Sequence, residues 1–354
     1  MYLEQRRLDM KPNSTYEKRI DWKTSTPLEQ RLDHWHQNSS PQSKMVVGEP
    51  LSRRCSLRIG GEAAYWIEAG TRKDLEALLE ALGETDACYV GLGSDVLFPD
   101  EGIDVPVIKL VGELAEWDVE EDGSQTARVD VAAGAVNAHL VRGLLKDGWV
   151  GAEFLTLIPG TFGGAVALNA GTKEQELCSI LETAVVAIVD HKNACWRIER
   201  RSSEELEMRY RHTALPEGAL VVGGTIRVQR GDVAAARERV AADKQRRNQT
   251  QPYRLASVGS TFANPEGDYA GRLIDEAGLK GASIGGARIS ELHANFFINE
   301  EDATAEDFLR LMALARHRVR RDFGVQLRPE VRFVGFDGMQ RLAEYERQLE
   351  NADD

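Results

Sequence analysis

Residues 148–171 read GWVGAEFLTLIPGTFGGAVALNAG, six glycines and one proline with a single charged side chain. Glycine loses more backbone freedom on folding than any other residue. A cluster this dense is therefore tolerated where the main chain must turn with positive φ or pass close to a ligand. Within it, Ile158-Pro159-Gly160-Thr161-Phe162-Gly163-Gly164 fixes φ at the proline and then exposes successive peptide N–H groups, a concave arrangement suited to a pyrophosphate. Taken alone, the stretch reads equally well as a tight turn between strands. A second glycine loop, Gly91-Leu92-Gly93-Ser94-Asp95-Val96, tilts the reading toward a dinucleotide cofactor. This loop lacks the third glycine of a Rossmann fingerprint, and no Gly-Lys-Ser or Gly-Lys-Thr of a Walker loop occurs in the chain, so the cofactor is held in another way.

Outward from these loops, composition narrows the possibilities. The 354 residues suffice for two or three domains, each with its own core. A net charge of -13, from 44 basic and 57 acidic residues, repels a polyanion over most of the surface and argues against nucleic acid as partner. Cys55, Cys88, Cys178 and Cys195 have neither C-x-x-C spacing nor matching histidines, so they read as reduced thiols and no metal site is expected. No run of 18 apolar residues occurs and the first residues are charged, which predicts a cytoplasmic protein without a membrane span. Residues 1–45 are polar, and Tyr16, Trp22 and Trp35 follow no period; they are expected to form a loose tail without chemistry.

From Leu51 the pattern becomes regular. Thr71 and Asp74 resemble a capping box ahead of Leu75, Leu78, Leu79 and Leu82, which share one helical face until Gly83. Short apolar runs at 88–90, 105–110, 128–133, 184–189 and 220–228 read as strands, giving an α+β alternation without a strict βαβ repeat. A helix from near Asp232 carries Arg237, Arg239, Lys244, Arg246 and Arg247 up to Pro252, a basic patch that reads as a solvated face or as the neighbour of an anionic ligand. Two further amphipathic helices follow, one ended by Gly278 and one capped at Thr304. A strand over 325–334 and a charged helix complete the chain.

Three polar pieces stand apart from these packing stripes: Tyr210-Arg211-His212-Thr213, Gly259-Ser260-Thr261-Phe262-Ala263-Asn264-Pro265, and Arg328-Pro329-Glu330-Val331-Arg332-Phe333. Singly each is commonplace. In this order, together with Leu51-Ser-Arg-Arg-Cys-Ser-Leu-Arg-Ile-Gly-Gly61, the two glycine loops, Gly278-Leu-Lys-Gly281, Ile284-Gly-Gly-Ala287 and Ser290-Glu-Leu-His-Ala-Asn295, the chain resembles the UDP-N-acetylenolpyruvoylglucosamine reductase (UDP-N-acetylmuramate dehydrogenase) family. The resemblance covers about 285 residues, and the spacing from Phe262 to Pro329 matches the shorter form of that family.

The resemblance implies an α+β protein: a two-subdomain FAD-binding fold of the vanillyl-alcohol oxidase type and a third α+β domain for the substrate. It places the FAD-binding region at 46–229 (subdomains about 46–110 and 111–229) and the substrate-binding domain at 230–324. A strand at 325–340 returns to the active site, and a charged helix occupies 341–354. NADPH would reduce the flavin, and the enolpyruvyl group of a UDP-sugar would then accept hydride in peptidoglycan precursor synthesis. The resemblance assigns Gly91, Gly93, Ser94, Asp95, Ile158, Pro159, Gly160, Thr161, Gly163, Gly164, Asn169 and Gly171 to the cofactor. It assigns Asn264, His293 and Arg247 to the substrate. Arg211, Ser260 and Glu330 match the catalytic positions: Arg211 to hold the carboxylate on which charge develops, and Ser260 to donate the proton. Glu330 either orients Arg211 or, protonated, donates a hydrogen bond. With neither His nor Cys in the two glycine loops, FAD is expected to be non-covalent, and the protein to act as a monomer.

Some positions depart from the family pattern. Asp95 stands where an asparagine is usual, Thr172-Lys173-Glu174-Gln175-Glu176 follows the Asn169-Ala170-Gly171 turn, Thr213 replaces a serine and Ala263 a lysine. Two other readings are a sugar or alcohol oxidase of the same fold, and a non-catalytic sugar-nucleotide binder; neither calls for Arg211, Ser260 and Glu330 together.

Overall fold

The leucines after Thr71 fall on one face because the chain there is helical. The computed structural model, which describes residues 18–22 and 25–353, forms a helix at Arg72–Leu82 with Leu75, Leu78, Leu79 and Leu82 buried. Thr71 caps it, its hydroxyl accepting from the Asp74 amide at 3.1 Å. Asp74 does not complete the capping box. Its carboxylate accepts instead from the Ser40 amide and from the hydroxyls of Ser40 and Ser43 at 2.5 and 2.7 Å. Burial pushes this carboxyl up, but the hydrogen bonds from Ser40, Ser43 and Thr71 outweigh it and hold Asp74 below the usual carboxylate range.

Those serines belong to the stretch expected to be a loose tail, and within the described residues that expectation is corrected. Lys18–Asp21 is a strand paired with Cys195–Ser202, and Leu28–Asn38 is a helix (α1) beside Arg72–Leu82 (α2). Only Leu32 and Trp35 of α1 are buried, too few to register as a period. Trp35 is nonetheless anchored, its indole N–H donating to the Asp74 carbonyl at 2.8 Å. Tyr16 lies outside the described residues.

The chain divides into two compact units. Among the described residues, the first comprises 18–22, 25–46, 66–91 and 107–243; the second comprises 47–65, 92–106 and 244–353. In the first, Trp66–Ala69 runs parallel to Val107–Leu110, which runs parallel to Cys88–Tyr89. A larger antiparallel sheet has the order Lys18–Asp21, Cys195–Ser202, Leu181–Asp190, Leu220–Arg230, Thr126–Ala132, Trp117–Glu121, with Trp149–Val150 also paired to Leu220–Arg230. Along Thr126–Ala132, Ala127, Val129 and Val131 are fully buried and alternate with Arg128 and Asp130, the two-residue period of a sheet with one covered face. The covering helices are Asn137–Lys146 (α3) and the short Phe162–Ala167 (α4). A long helix, Val233–Thr250 (α5), carries the basic patch.

The second unit holds a four-stranded sheet in the order Ala256–Ser260, Phe296–Asn299, Ala287–Ile289, Ser283–Ile284. It also contains the helices Ala270–Glu276 (α6), Ala305–Phe323 (α7) and Gly338–Asp353 (α8). Thr304 and Asp307 form the expected capping box of α7, whose Phe308, Leu311, Met312, Ala315 and Val319 are buried. The strand expected over 325–334 is shorter: only Arg332–Phe333 pairs, parallel to Val96–Leu97. Pro329 has no N–H to continue a ladder, so the segment before it makes an isolated bridge to Phe262.

Candidate functional site

Within the first unit the proline–glycine loop runs into α4. Thr161 is its cap, and its hydroxyl accepts from the Gly164 amide at 3.4 Å. The loop is tied to the start of α3, where the Asn137 amide donates to the Gly160 carbonyl at 3.1 Å and the Asn137 side-chain nitrogen donates to the Ile158 carbonyl at 3.3 Å. The Asn137 side chain is 1% exposed, and its Oδ1 is a buried acceptor without a hydrogen-bond partner. Gly91 closes on the same loop: a Cβ there would stand 2.5 Å from the Thr161 hydroxyl. The backbone is close-set, but it does not leave the run of free peptide N–H groups that the sequence suggests: those of Phe162 and Gly163 donate to the Ala135 and Ala133 carbonyls, each at 2.8 Å. The orphaned Asn137 Oδ1 calls for an N–H or O–H donor from a ligand rather than a phosphate oxygen. Asn137 escaped the sequence reading because a buried asparagine at a helix start looks like an ordinary cap.

Beside this loop lies the turn that carries Arg211. Arg209 and His212 exchange backbone hydrogen bonds of 3.0 and 2.8 Å around Tyr210 and Arg211, and Arg211 adopts φ +53°. A non-glycine residue at positive φ stores strain of order 1 kcal/mol, tolerated where the surroundings leave no alternative. The surroundings here are the segment 169–178. Asn169, itself at φ +43° and fully buried, donates from Nδ2 to the Arg209 carbonyl at 3.2 Å and to Glu176 Oε2 at 3.0 Å. Its Oδ1 accepts from the Cys178 amide at 2.9 Å. Arg211 Nη2 donates to the Gly171 carbonyl at 3.2 Å. Asn169 thus ties the Arg211 turn, through the Arg209 carbonyl, to the segment 176–178, through Glu176 and Cys178. The unusual sequence after Gly171 closes on itself through a Gly171–Glu176 bridge. Thr213 retains a hydroxyl that donates to the Val166 carbonyl at 2.6 Å, which accounts for the tolerance of threonine there.

In the second unit, Ser260 sits just past a β-bulge. Ser257 faces Ile298 and Ser260 faces Phe296, so one extra residue is accommodated on the serine strand, with Gly259 at φ +76°. Bulges of this kind re-aim a side chain. The next residue, Thr261, receives the Glu330 amide on its carbonyl at 2.9 Å, which brings the backbones carrying Ser260 and Glu330 alongside each other. Asn295 locks the pair: its carbonyl accepts from the Thr261 amide at 2.8 Å, and its side chain bonds both the N–H and C=O of Phe262 at 3.0 and 2.7 Å. His293 packs edge-on against Phe296, and its Nδ1 accepts from the Asn295 amide at 3.2 Å. Burial lowers the pKa of this imidazole.

The remaining expected substrate residues are placed as follows. Asn264 is exposed, and its Oδ1 accepts from the Ala270 amide at 3.1 Å, ahead of α6. Arg247, in the last turn of α5, donates to the Tyr253 hydroxyl at 3.3 Å beside a cleft of about 570 Å³ lined by Tyr253, Arg254, Arg288 and Leu292. In the second glycine loop, the Gly93 carbonyl accepts from the Ser56 amide at 2.8 Å and the Asp95 carbonyl from the Arg332 amide at 2.8 Å; Ser94 is partly exposed. Among the described residues no cluster of histidine, cysteine and carboxylates fit to hold a metal occurs.

Comparison with known proteins matches these features to named relatives. Residues 251–334 fit the UDP-N-acetylenolpyruvoylglucosamine reductase C-terminal domain, and residues 63–188 an FAD binding domain. A UDP-N-acetylenolpyruvoylglucosamine reductase from Methylococcus capsulatus is 42% identical over 288 residues, 81% of this chain and 92% of the relative. The chain belongs to this family. A second member, from Myxococcus xanthus, is 39% identical over 294 residues, covering 82% of this chain and 93% of its own. The crystal structure of the Thermus caldophilus reductase superposes with a TM-score of 0.68 at 33% identity, over 82% of this chain and 98% of that one. The protein is accordingly an FAD-containing oxidoreductase of α+β, multi-domain architecture, as the motifs implied. NADPH is the family's reductant.

Proposed function

We propose that this chain reduces the enolpyruvyl group of UDP-N-acetylglucosamine enolpyruvate to UDP-N-acetylmuramate, with Arg211, Ser260 and Glu330 as its catalytic residues. The observation that carries the assignment is the bulge at Gly259: it costs regular pairing in a small sheet and has one evident product, the placement of Ser260. The residues around Gly91 and Thr161 would hold FAD, with Asn137 presenting its buried acceptor. When bound, FAD would supply the hydride carrier between NADPH and the substrate.

Hydride arriving at the vinyl carbon drives negative charge onto the substrate carboxylate. A guanidinium fork matches the two oxygens of that group, and Arg211 is held for this contact by its turn. The carbon next to the carboxylate must then gain a proton. Ser260 donates it; a hydroxyl is a weak acid, but transfer to a carbanion-like carbon is strongly downhill. Asn295 positions both halves of the second-unit site by fixing the strand on which Ser260 lies. Glu330→Gln separates the two roles open to Glu330: an amide replaces a protonated carboxyl with modest loss, whereas a carboxylate that orients Arg211 is lost with its charge.

Arg247 and the last turn of α5 supply positive charge for the diphosphate, and we read the working form as a cytoplasmic monomer acting on a free UDP-sugar. No helix among the described residues is long and apolar enough to cross a membrane. The decisive experiment is anaerobic. The yellow protein should bleach with NADPH and regain colour on addition of the enolpyruvyl sugar nucleotide, and acid precipitation should release FAD to the supernatant. Bleaching without recovery would overturn the substrate assignment, and a yellow pellet would overturn non-covalent binding.

A further inference from the structure

A cleft of about 440 Å³ opens in the first unit between α3, the start of the strand Trp117–Glu121 and the first turns of α5. It is lined by Trp117, His139, Arg142, Gly143, Lys146 and Arg237. None of these belongs to the flavin or substrate set. His139, Arg142 and Lys146 recur at helical spacing along one exposed face of α3, and Gly143 sits between them against the tryptophan. A Cβ on Gly143 would stand 2.6 Å from Trp117 Cζ2, so the missing side chain is what lets the indole lie against the helix.

The charge is what sets this cleft apart. The chain is acidic overall, with net charge -13, and its exposed arginines are commonly paired: Arg227 with Asp122 and Glu182, Arg230 with Glu121, Arg272 with Asp268 and Glu276. Arg142, Lys146 and Arg237 form no ion pair with any described residue, and no carboxylate lines the cleft. Three unneutralised cations held together repel one another, an arrangement that an anionic ligand relieves. The aromatic wall adds a surface for a planar ring, and the volume lies in the range of small-molecule sites rather than of a flat protein contact.

We propose that this cleft binds a nucleoside diphosphate or a ligand of the same chemistry, its phosphates on Arg142, Lys146 and Arg237 and its base against Trp117. The test is calorimetric titration of ADP into the FAD-loaded enzyme with the substrate site filled by UDP-N-acetylmuramate, so that failure of the site and failure of the reductase reading stay separate. One ADP per chain should bind, several-fold more weakly at 300 than at 50 mM salt as screening grows. The exposed triple variant Arg142→Glu, Lys146→Glu, Arg237→Glu should lose at least about ten-fold in ADP affinity while keeping its FAD and its turnover. Trp117→Leu should weaken ADP but leave inorganic pyrophosphate unchanged. The proposal is overturned by ADP binding equally to wild type and triple variant, by no ADP binding, by pyrophosphate binding as tightly as ADP, or by binding only to vesicles of anionic phospholipid.

Discussion

Arg211 and Ser260 are both set by backbone at positive φ, but the strain falls on different residues. At the first, the arginine itself adopts φ +53° in a turn clamped by Asn169. At the second, the preceding glycine takes φ +76°, and Ser260 remains in a regular strand register with Phe296. A glycine could not replace the arginine without removing the guanidinium, so strain there has to be held by neighbours. Beside Ser260 a residue with no side-chain duty was available to absorb it. The first arrangement makes the position of Arg211 depend on a buried amide network, and the second makes that of Ser260 depend on the absence of a single Cβ.

The largest expected effects are kinetic, and at both residues they fall on one half-reaction. Flavin reduction by NADPH needs no proton at the substrate carbon, whereas reduction of the enolpyruvyl group does. Ser260→Ala should leave bleaching by NADPH and FAD content nearly unchanged while reoxidation by substrate slows about 10²- to 10⁴-fold. Stopped-flow traces of each half-reaction decide this: equal slowing of both would make Ser260 a structural residue of the bulge. Arg211→Ala should slow the same substrate half-reaction by about 10²- to 10³-fold, the usual loss on removing a group that stabilises developing negative charge. An unchanged rate of reoxidation would move the carboxylate site elsewhere.

How much of this was legible beforehand follows the same division. The glycine loops and the Gly259-Ser260 pair were readable because glycine has few other uses at such density. Arg211 was not readable as a strained residue, since the clamp on it comes from Asn169, some forty positions away and in a different motif. Asn137 and Asn295 were hidden likewise: each acts through backbone groups of another segment, and no local period marks such a contact. The stretch containing α1 departs from the loose tail expected of it for a related reason. Its polar composition says little, whereas its order comes from two buried side chains, an indole bond to Asp74 and two serines on the same carboxylate. The prematurely ended strand before Arg332 shows the converse, a local signal at Pro329 that an apolar run obscured.

A smaller effect tests where the strain resides. Glycine should be favoured over alanine by a similar backbone margin at both sites. Gly259→Ala should cost about 1 kcal/mol, all of it backbone, because a Cβ there meets nothing within 4 Å. Arg211→Gly and Arg211→Ala remove the same contacts, and the glycine variant should be the more stable of the two by about 1 kcal/mol. Denaturant midpoints of FAD-loaded variants measure both differences. Equal stability of the two Arg211 variants would mean that the turn relaxes once the guanidinium is gone, and the contrast between the regions would then rest on Asn169 alone.

The finest distinction is one of pH, because a titrating imidazole supports the Ser260 strand. His293 accepts the Asn295 amide on Nδ1, and Asn295 in turn holds Thr261 and Phe262. Burial is the main reason that its pKa lies below the ordinary 6.5, with a smaller contribution from Lys280. In the unfolded chain the same ring takes up its proton at the ordinary value, so the unfolded state binds more protons as pH falls. The stability that this neutral ring supports is complete above about pH 6.5 and declines as pH drops through that value toward the folded pKa. Protonation of Nδ1 would also remove the acceptor from the Asn295 amide, so the Ser260 strand should loosen first. Hydrogen exchange of the Thr261 and Phe262 amides should therefore accelerate between pH 6.5 and 5 relative to the intrinsic rate, while that of the Arg209 and His212 amides does not. In His293→Gln this extra acceleration should disappear, and the fall in urea midpoint over the same range should be shallower than in the wild type. Identical pH profiles for the two proteins would remove His293 from the support of the strand and leave Asn295 to hold it without a titrating partner.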